Sequence, residues 1–201
     1  MVSHMEKNTW RRFYDATVGD LPPRQTLLDA LEAWASPAGI ALDLGCGAGR
    51  DTLALLAGGW RVHALDAQPE ALERLLDRTP SEWRPRLTLH STRFEAAELP
   101  TVDLANASFA LPFCAPTAFP ALWKSISAAV QPNGLFAGQL FGTHDDWATN
   151  PGMTFLTRSD LQELLIGWES IILKEIEYDG APAVGPDKHW HIFHVVARRL
   201  T

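Results

Sequence analysis

The stretch IALDLGCGAGRD, residues 40–51, joins an apolar run directly to a turn rich in glycine. The run from Ile40 to Leu44 has the apolar character of a buried strand. Glycines at positions 45, 47 and 49 let the backbone leave that strand tightly and approach a ligand without a Cβ in the way. Leu53 and Leu56, which follow, have the spacing of one helical face. The stretch therefore predicts a strand, a tight turn and a helix, and ligands in such sheets lie beyond the carboxyl ends of the strands.

Segments typical of strands and helices alternate along the rest of the chain. Residues 171–178 and 191–197 have no helix between them and are expected to form an antiparallel pair. We expect an α/β fold, a Rossmann-like doubly wound, mainly parallel, seven-stranded sheet with an antiparallel last strand. The other predicted strands are 60–66, 87–91, 102–109 and 135–141, and the other predicted helices are about 24–35, 69–76, 117–130 and 159–166.

Two acidic residues narrow the class of ligand. Asp43 lies two places before the first glycine and suits a ligand with a cationic amino group. Asp66 ends the second predicted strand, where a carboxylate can accept both hydroxyls of a ribose. A dinucleotide-binding G-x-G-x-x-G turn would need glycine where Arg50 stands. A nucleoside ligand is favoured, and a nicotinamide cofactor and a purely structural turn remain as alternatives.

The composition indicates a globular chain of one domain, residues 1–201, with 1–35 as a candidate cap over the ligand. A net charge of −7 argues against binding to nucleic acid. No apolar run approaches the ~20 residues that cross a bilayer, so no membrane contact is expected. Two cysteines cannot form a disulfide framework, which favours a cytoplasmic location. We expect a monomer or a homodimer.

The motif DLGCGAG at residues 43–49 resembles the first motif of the class I S-adenosylmethionine-dependent methyltransferases. The resemblance covers nearly the whole chain and includes VDL at 102–104 and QPNGL at 131–135. Within that superfamily the chain is most similar to the tellurite-resistance methyltransferase branch, on residues 45–51, 167–169 and 197–199. It implies S-adenosyl-L-methionine as cofactor and a small-molecule acceptor that is methylated on oxygen, sulfur, nitrogen or a chalcogen oxyanion.

The resemblance also implies roles for individual residues. The glycine-rich turn would lie beside the methionine part of the cofactor, and Asp66 would hold the ribose. Arg93 stands where the family has an acid for the adenine amino group, so the Phe94 backbone or Glu95 would replace that contact. The implied cofactor-binding residues are Asp43, Gly45, Cys46, Gly47, Gly49, Asp66, Ala67, Phe94, Glu95, Asn106, Ala107 and Ser108.

The N-terminal region supplies three further candidates for cofactor binding. Arg24 can bind the cofactor carboxylate, because a guanidinium matches a carboxylate in two-point geometry. A solvated arginine at the start of a helix is the alternative. Trp10 and Tyr14 can close over the cofactor, as an N-terminal segment does in many relatives, or can simply pack together.

The sequence KHWH at residues 188–191 is the densest cluster of titratable residues. On a strand, His189 and His191 share one face, and we interpret them as candidate catalytic bases for a hydroxyl or thiol acceptor. Histidines near a strand end without a catalytic role are the alternative. A zinc site formed with His144, Asp145 and Asp146 is the third alternative for this cluster, but no close ligand spacing supports it, and no metal is predicted.

Tryptophans at positions 123, 147 and 190, near the expected acceptor side, indicate a planar or apolar acceptor. A methyltransferase is therefore the first hypothesis for the function. The second hypothesis is a non-catalytic module that binds S-adenosylmethionine or another nucleoside.

Overall fold

The computed structural model describes residues 21–200 together with Arg11, Arg12, Asp15 and Gly19. The helices that it describes between residues 21 and 200 are α1 (Gln25–Ala33), α2 (Arg50–Ala57), α3 (Pro69–Arg78), α4 (Phe119–Ala129) and α5 (Arg158–Leu164). The strands are β1 (Ile40–Leu44), β2 (Arg61–Asp66), β3 (Leu87–Ser91), β4 (Val102–Ala107), β5 (Val130–Gly142), β6 (Phe155–Leu156), β7 (Trp168–Gly180) and β8 (Lys188–Arg199).

All eight strands belong to one sheet, in the order β3-β2-β1-β4-β5-β8-β7, with β6 paired to β5 beside this path. The pairings of β1 to β6 are parallel, and β8 is antiparallel to both β5 and β7. The predicted α/β fold, with its mainly parallel sheet and antiparallel last strand, is therefore confirmed. The additional strand, β6, has two residues, and a segment that short shows no periodicity from which it could be predicted.

The closing strands are longer than the sequence indicates. Their ladder runs from Trp168 opposite Arg199 to Gly180 opposite Lys188, well beyond the predicted 171–178 and 191–197. The added residues are mostly charged or polar, and such residues are depleted in strands. Pairing between β7 and β8 fixes them in extended conformation.

Hydrophobic residues pack on both faces of the sheet. On one face, Trp123 of α4 contacts Phe136 of β5 edge-on, with ring centroids 4.9 Å apart. On the other face, Leu27 of α1 packs with Leu104 and Leu135. Trp123 is thus a core residue, which corrects its placement on the acceptor side. No helix in residues 21–200 is long and apolar enough to span a bilayer.

The order of the strands locates the site. From β1 the sheet continues to β2 on one side and to β4 on the other. This is a switch point, and a crevice opens there beyond the carboxyl ends of the strands. The turn after β1, the end of β2 and the end of β4 meet at this crevice.

Candidate cofactor and acceptor site

The turn after β1 has a backbone that only glycine adopts easily. Gly45, Gly47 and Gly49 have φ of 68°, 54° and 89°, in the left-handed region. A Cβ at Gly45 would lie 2.5 Å from the Cβ of Ala110, and one at Gly49 would lie 2.3 Å from a methyl carbon of Leu75. At Gly45 and Gly49 the backbone therefore lies too close to its neighbours for any residue with a side chain.

Asp66, at the end of β2, is bonded to the same turn. Its Oδ2 accepts the backbone N–H of Gly47 at 2.9 Å, and its Oδ1 accepts that of Gln68 at 2.8 Å. The residue is only 8% exposed, and it lines the crevice. Two backbone donors thus orient a nearly buried carboxylate.

A second group of carboxylates lies buried under the turn. The Asn106 amide donates to Asp43 Oδ1 at 2.9 Å and to Asp51 Oδ2 at 3.0 Å. Thr52 Oγ1 donates to Asp43, and Ser108 Oγ donates to Asp51, both at 2.5 Å. Asp51 and Thr52 were not predicted as site residues, although both lie in the first turn of α2, directly after the glycine turn.

Burial and the neighbouring charge of Asp51 raise the pKa of Asp43 to about 7. Desolvation disfavours a carboxylate, and a like charge disfavours it further. A cation bound above this group would favour the ionised form of Asp43. The network is thus electrostatically suited to a positively charged ligand.

One cavity of about 660 Å³ extends from the glycine turn across the ends of the strands. Its cofactor half contains Asp66 and the segment 92–95 after β3. The predicted cofactor residues that line it are Arg24, Gly45, Gly47, Asp66, Ala67, Phe94, Glu95 and Ser108. The cavity lining does not include Asp43, Cys46, Gly49, Asn106 or Ala107, all of which belong to the turn or to strand ends. Trp10 and Tyr14 lie outside the described residues.

The other half of the cavity is an acceptor chamber with aromatic and apolar walls. Its residues are Phe109, Phe113, Phe141, Trp147, Met153, Tyr178 and Trp190. They come from the end of β4, the end of β5, the loop after β5, and the β7–β8 hairpin. Of these, only Trp147 and Trp190 were predicted to lie near the acceptor. The others could not be predicted, because no local pattern links residues so far apart in the chain.

Two walls of the acceptor chamber are fixed by a buried ion pair. The Lys188 ammonium pairs with the Asp145 carboxylate, and their side chains are 4% and 0% exposed. Lys188 Nζ lies 4.2 Å from the ring centroid of Trp147 and 3.9 Å from that of Trp190. Asp145 also accepts the backbone N–H of Trp147 at 2.9 Å. Burial lowers the pKa of Lys188.

His189 and His191 lie away from the cavity. On β8 they share a sheet face with Phe193, whereas Trp190 lines the cavity from the other face. His191 Nε2 lies 2.9 Å from Glu175 Oε1, and His189 contacts carboxylates of β7. The structure therefore does not bring these two histidines to the cofactor residues, and their predicted catalytic role has no support from their position.

Residues 41–134, which run from β1 into the first part of β5, match the family model of a methyltransferase domain. This part of the chain is thus similar to a methyltransferase domain. No curated protein matches the sequence significantly.

Solved structures with the same fold include three methyltransferase-like proteins. TehB from Haemophilus influenzae superposes with a TM-score of 0.74 at 18% identity, covering 88% of this chain and 62% of TehB. The 1,6-didemethyltoxoflavin-N1-methyltransferase of Burkholderia thailandensis, with S-adenosylhomocysteine bound, has a TM-score of 0.69 at 22% identity, covering 100% and 92%. A methyltransferase from Methanosarcina mazei has a TM-score of 0.67 at 17% identity, covering 90% of this chain and 99% of its own.

These likenesses concern the fold, and this chain spans less than two thirds of the length of TehB. The fold is that of the S-adenosylmethionine-dependent methyltransferases.

Proposed function

We propose that the protein transfers a methyl group from S-adenosylmethionine to a heteroatom of a small planar or apolar molecule. The observation that carries this proposal is the single cavity that connects the Asp66 end of the crevice with the aromatic acceptor chamber. A cofactor and an acceptor bound in the two halves would meet near Ser108 and Phe109. In-line transfer requires that contact.

The residues of the cofactor half fit S-adenosylmethionine. Asp66 supplies an oriented acceptor for the ribose hydroxyls, and the glycine turn leaves room for the methionine part. The buried carboxylates below would stabilise the positive charge of the cofactor. The Phe94 backbone and Glu95 would contact the adenine.

Arg24 is the candidate for the cofactor carboxylate. Its guanidinium lies 4.6 Å from the ring centroid of Phe109, and its backbone N–H donates to Asp51 at 2.9 Å. These contacts place Arg24 at the border between the two halves of the cavity. We further propose that residues 1–201 form a single domain, with 1–35 as a cap over the cofactor.

The chemistry needs little beyond alignment and exclusion of water. When bound, S-adenosylmethionine supplies a methyl group on a sulfonium, which is a good leaving group. No histidine, lysine or cysteine of the described residues lines the cavity. An acceptor atom that has a free lone pair near neutral pH, or ionises by itself, fits such a site: nitrogen, a thiolate or an oxyanion.

The remaining proposals concern partners and location. The acidic net charge of −7 favours a small molecule over nucleic acid as substrate. Both cysteines are buried and free, which suits the reducing cytoplasm. We propose a monomer or a homodimer.

The test is a transfer assay on the full-length chain with S-adenosylmethionine and a panel of small planar acceptors. The panel starts with 1,6-didemethyltoxoflavin, the ligand in the Burkholderia structure. We expect S-adenosylhomocysteine and a product 14 mass units heavier with at least one acceptor, and about 100-fold lower turnover with Asp66→Ala at subsaturating cofactor. Tight cofactor binding without turnover on a broad panel would favour the non-catalytic module.

A further inference from the structure

A cluster of histidines and carboxylates lies on the sheet face opposite the cavity. In the β7–β8 ladder, Glu177 is opposite His191 and Asp179 is opposite His189. Such cross-strand partners have their side chains on one face and within reach of each other. The loop that follows β5 adds His144 to the same place. Three separate segments thus converge on one spot.

The distances in this cluster are those of potential metal ligands. Glu177 Oε1 lies 3.1 Å from His144 Nδ1 and 3.9 Å from His191 Nε2. One ligand atom from each of these three residues lies within 4.8 Å of the others. Glu175 Oε1 is a further oxygen, 2.9 Å from His191 Nε2. Tetrahedral zinc, with bonds of about 2.0–2.2 Å, places its ligand atoms roughly 3.4 Å apart. Bringing ligand atoms that lie up to 4.8 Å apart to this spacing requires a contraction of up to roughly 1.4 Å.

The three side chains differ in how closely they are packed, and this difference permits the contraction. His191 is 2% exposed, and its ring occupies the space where Gly142 would carry a Cβ, 2.1 Å from Nδ1. The side chains of His144 and Glu177 are 66% and 40% exposed. One ligand is thus fixed, and the other two can close on an ion.

The charge of the cluster also favours a cation. Glu175, Glu177 and Asp179 face one guanidinium, that of Arg158, which lies 2.7 Å from Glu175. With neutral histidines, the cluster carries excess negative charge that a divalent ion would neutralise.

We propose that His144, Glu177 and His191, with Glu175 as a fourth ligand, bind one first-row divalent metal ion such as Zn²⁺. Imidazole nitrogens with carboxylates suit zinc, nickel or cobalt, whereas magnesium and calcium prefer oxygen alone. The site lies on the opposite face from the methyl-transfer cavity, so it does not depend on the proposed function.

Binding requires one proton shift. His191 Nδ1 accepts the backbone N–H of His144 at 3.2 Å, so the neutral ring carries its proton on Nε2, toward Glu175. When the metal takes Nε2, that proton moves to Nδ1, and the His144 N–H bonds water instead. The side chain of His144 is 66% exposed, so water reaches this segment.

The ion would join the loop after β5 to the β7–β8 hairpin. That loop carries Trp147, and the hairpin carries Tyr178 and Trp190, all of which line the acceptor chamber. The metal would therefore stabilise the chamber walls from behind without touching a substrate.

The experiment is calorimetric titration of Zn²⁺ into metal-free, untagged full-length protein, together with thermal melts and the visible spectrum of a Co²⁺ complex. We expect one ion per chain, a higher Tm with zinc, and the intense absorption of tetrahedral Co²⁺. His144→Ala and Glu177→Gln alter exposed side chains and should each weaken binding at least about tenfold, since even outer partners of a metal site matter that much.

His90→Ala is the matched control. His90 also belongs to a stacked histidine pair, with His63, but on β3 at the other end of the strand order. This variant should bind Zn²⁺ as the unaltered chain does. Substoichiometric binding, or equal affinity in the unaltered chain, His144→Ala and Glu177→Gln, would overturn the proposal.

Discussion

The carboxylate of Asp66 accepts the backbone N–H of Gly47 at 2.9 Å. This bond joins the end of β2 to the turn that follows β1, the two parts of the site that we propose contact different ends of the cofactor. The ribose acceptor and the glycine turn are therefore held as one unit, and a change in either should disturb both.

Asp66→Ala should lose cofactor affinity. Two ribose hydrogen bonds to a charged acceptor contribute on the order of 3 kcal/mol, so binding should weaken about 100-fold. Calorimetry with S-adenosylhomocysteine measures this loss, and Asp77→Ala, at the end of α3, serves as control. NAD should bind the unaltered chain far more weakly, and equal affinity for the two ligands would contradict the cofactor assignment.

The pKa of Asp43, about 7 in the fold, makes stability depend on pH. An unfolded aspartate titrates near pH ~3.9, so between about pH 4 and 7 the folded state binds the extra proton. The contribution of Asp43 to stability therefore falls as the pH rises through this range and is constant above it.

Thermal melts from pH 4.5 to 8 (roughly the window of this linkage), without cofactor, test the assignment. The Tm of the unaltered chain minus that of Asp43→Asn should fall by several degrees across the window. A difference that does not change with pH would show that Asp43 ionises normally in the fold.

Lys188→Met should destabilise the protein strongly. It leaves the Asp145 carboxylate buried without its cation, and breaking such a pair costs about 3–5 kcal/mol. For a chain of this length the Tm should fall by roughly 10 °C. Adding Asp145→Asn to Lys188→Met should recover part of the loss, because no lone charge remains. A single variant that melts like the unaltered chain would show that the pair is dispensable.

His189→Ala distinguishes two predictions about catalysis. If His189 is a catalytic base, turnover should fall about 100-fold with cofactor affinity intact. Its position on the face opposite the cavity predicts turnover within about twofold of the unaltered chain. Trp190→Ala, the neighbouring residue that lines the acceptor chamber, should instead raise the KM for the acceptor. Steady-state kinetics with an acceptor found in the panel decide between these outcomes.

The parts of the fold that the sequence predicted are those that local patterns encode. The glycine turn, the apolar strand β1 and the strand end at Asp66 each show within a few residues. The Lys188–Asp145 pair joins residues 43 positions apart, and no periodicity reports such a contact.

The histidines of β8 show the limit of strand periodicity. Alternation establishes that His189 and His191 share a face and that Trp190 faces the other way. It does not tell which face meets the cavity, because that depends on the neighbours of the whole strand. The acceptor chamber could not be predicted from the sequence for the same reason, since its walls meet only after β5, β7 and β8 pair.

Among the described strands, β7 has a neighbour on one side only, and its 13 residues make a long open edge. An unpaired edge is a template for strands of other molecules, and exposed Ile171 and Tyr178 add apolar surface to it. Five charged side chains interrupt that surface: Glu169, Lys174, Glu175, Glu177 and Asp179. Strand addition would bury them, so concentrated solutions of the protein should resist fibril growth until those charges are removed or neutralised.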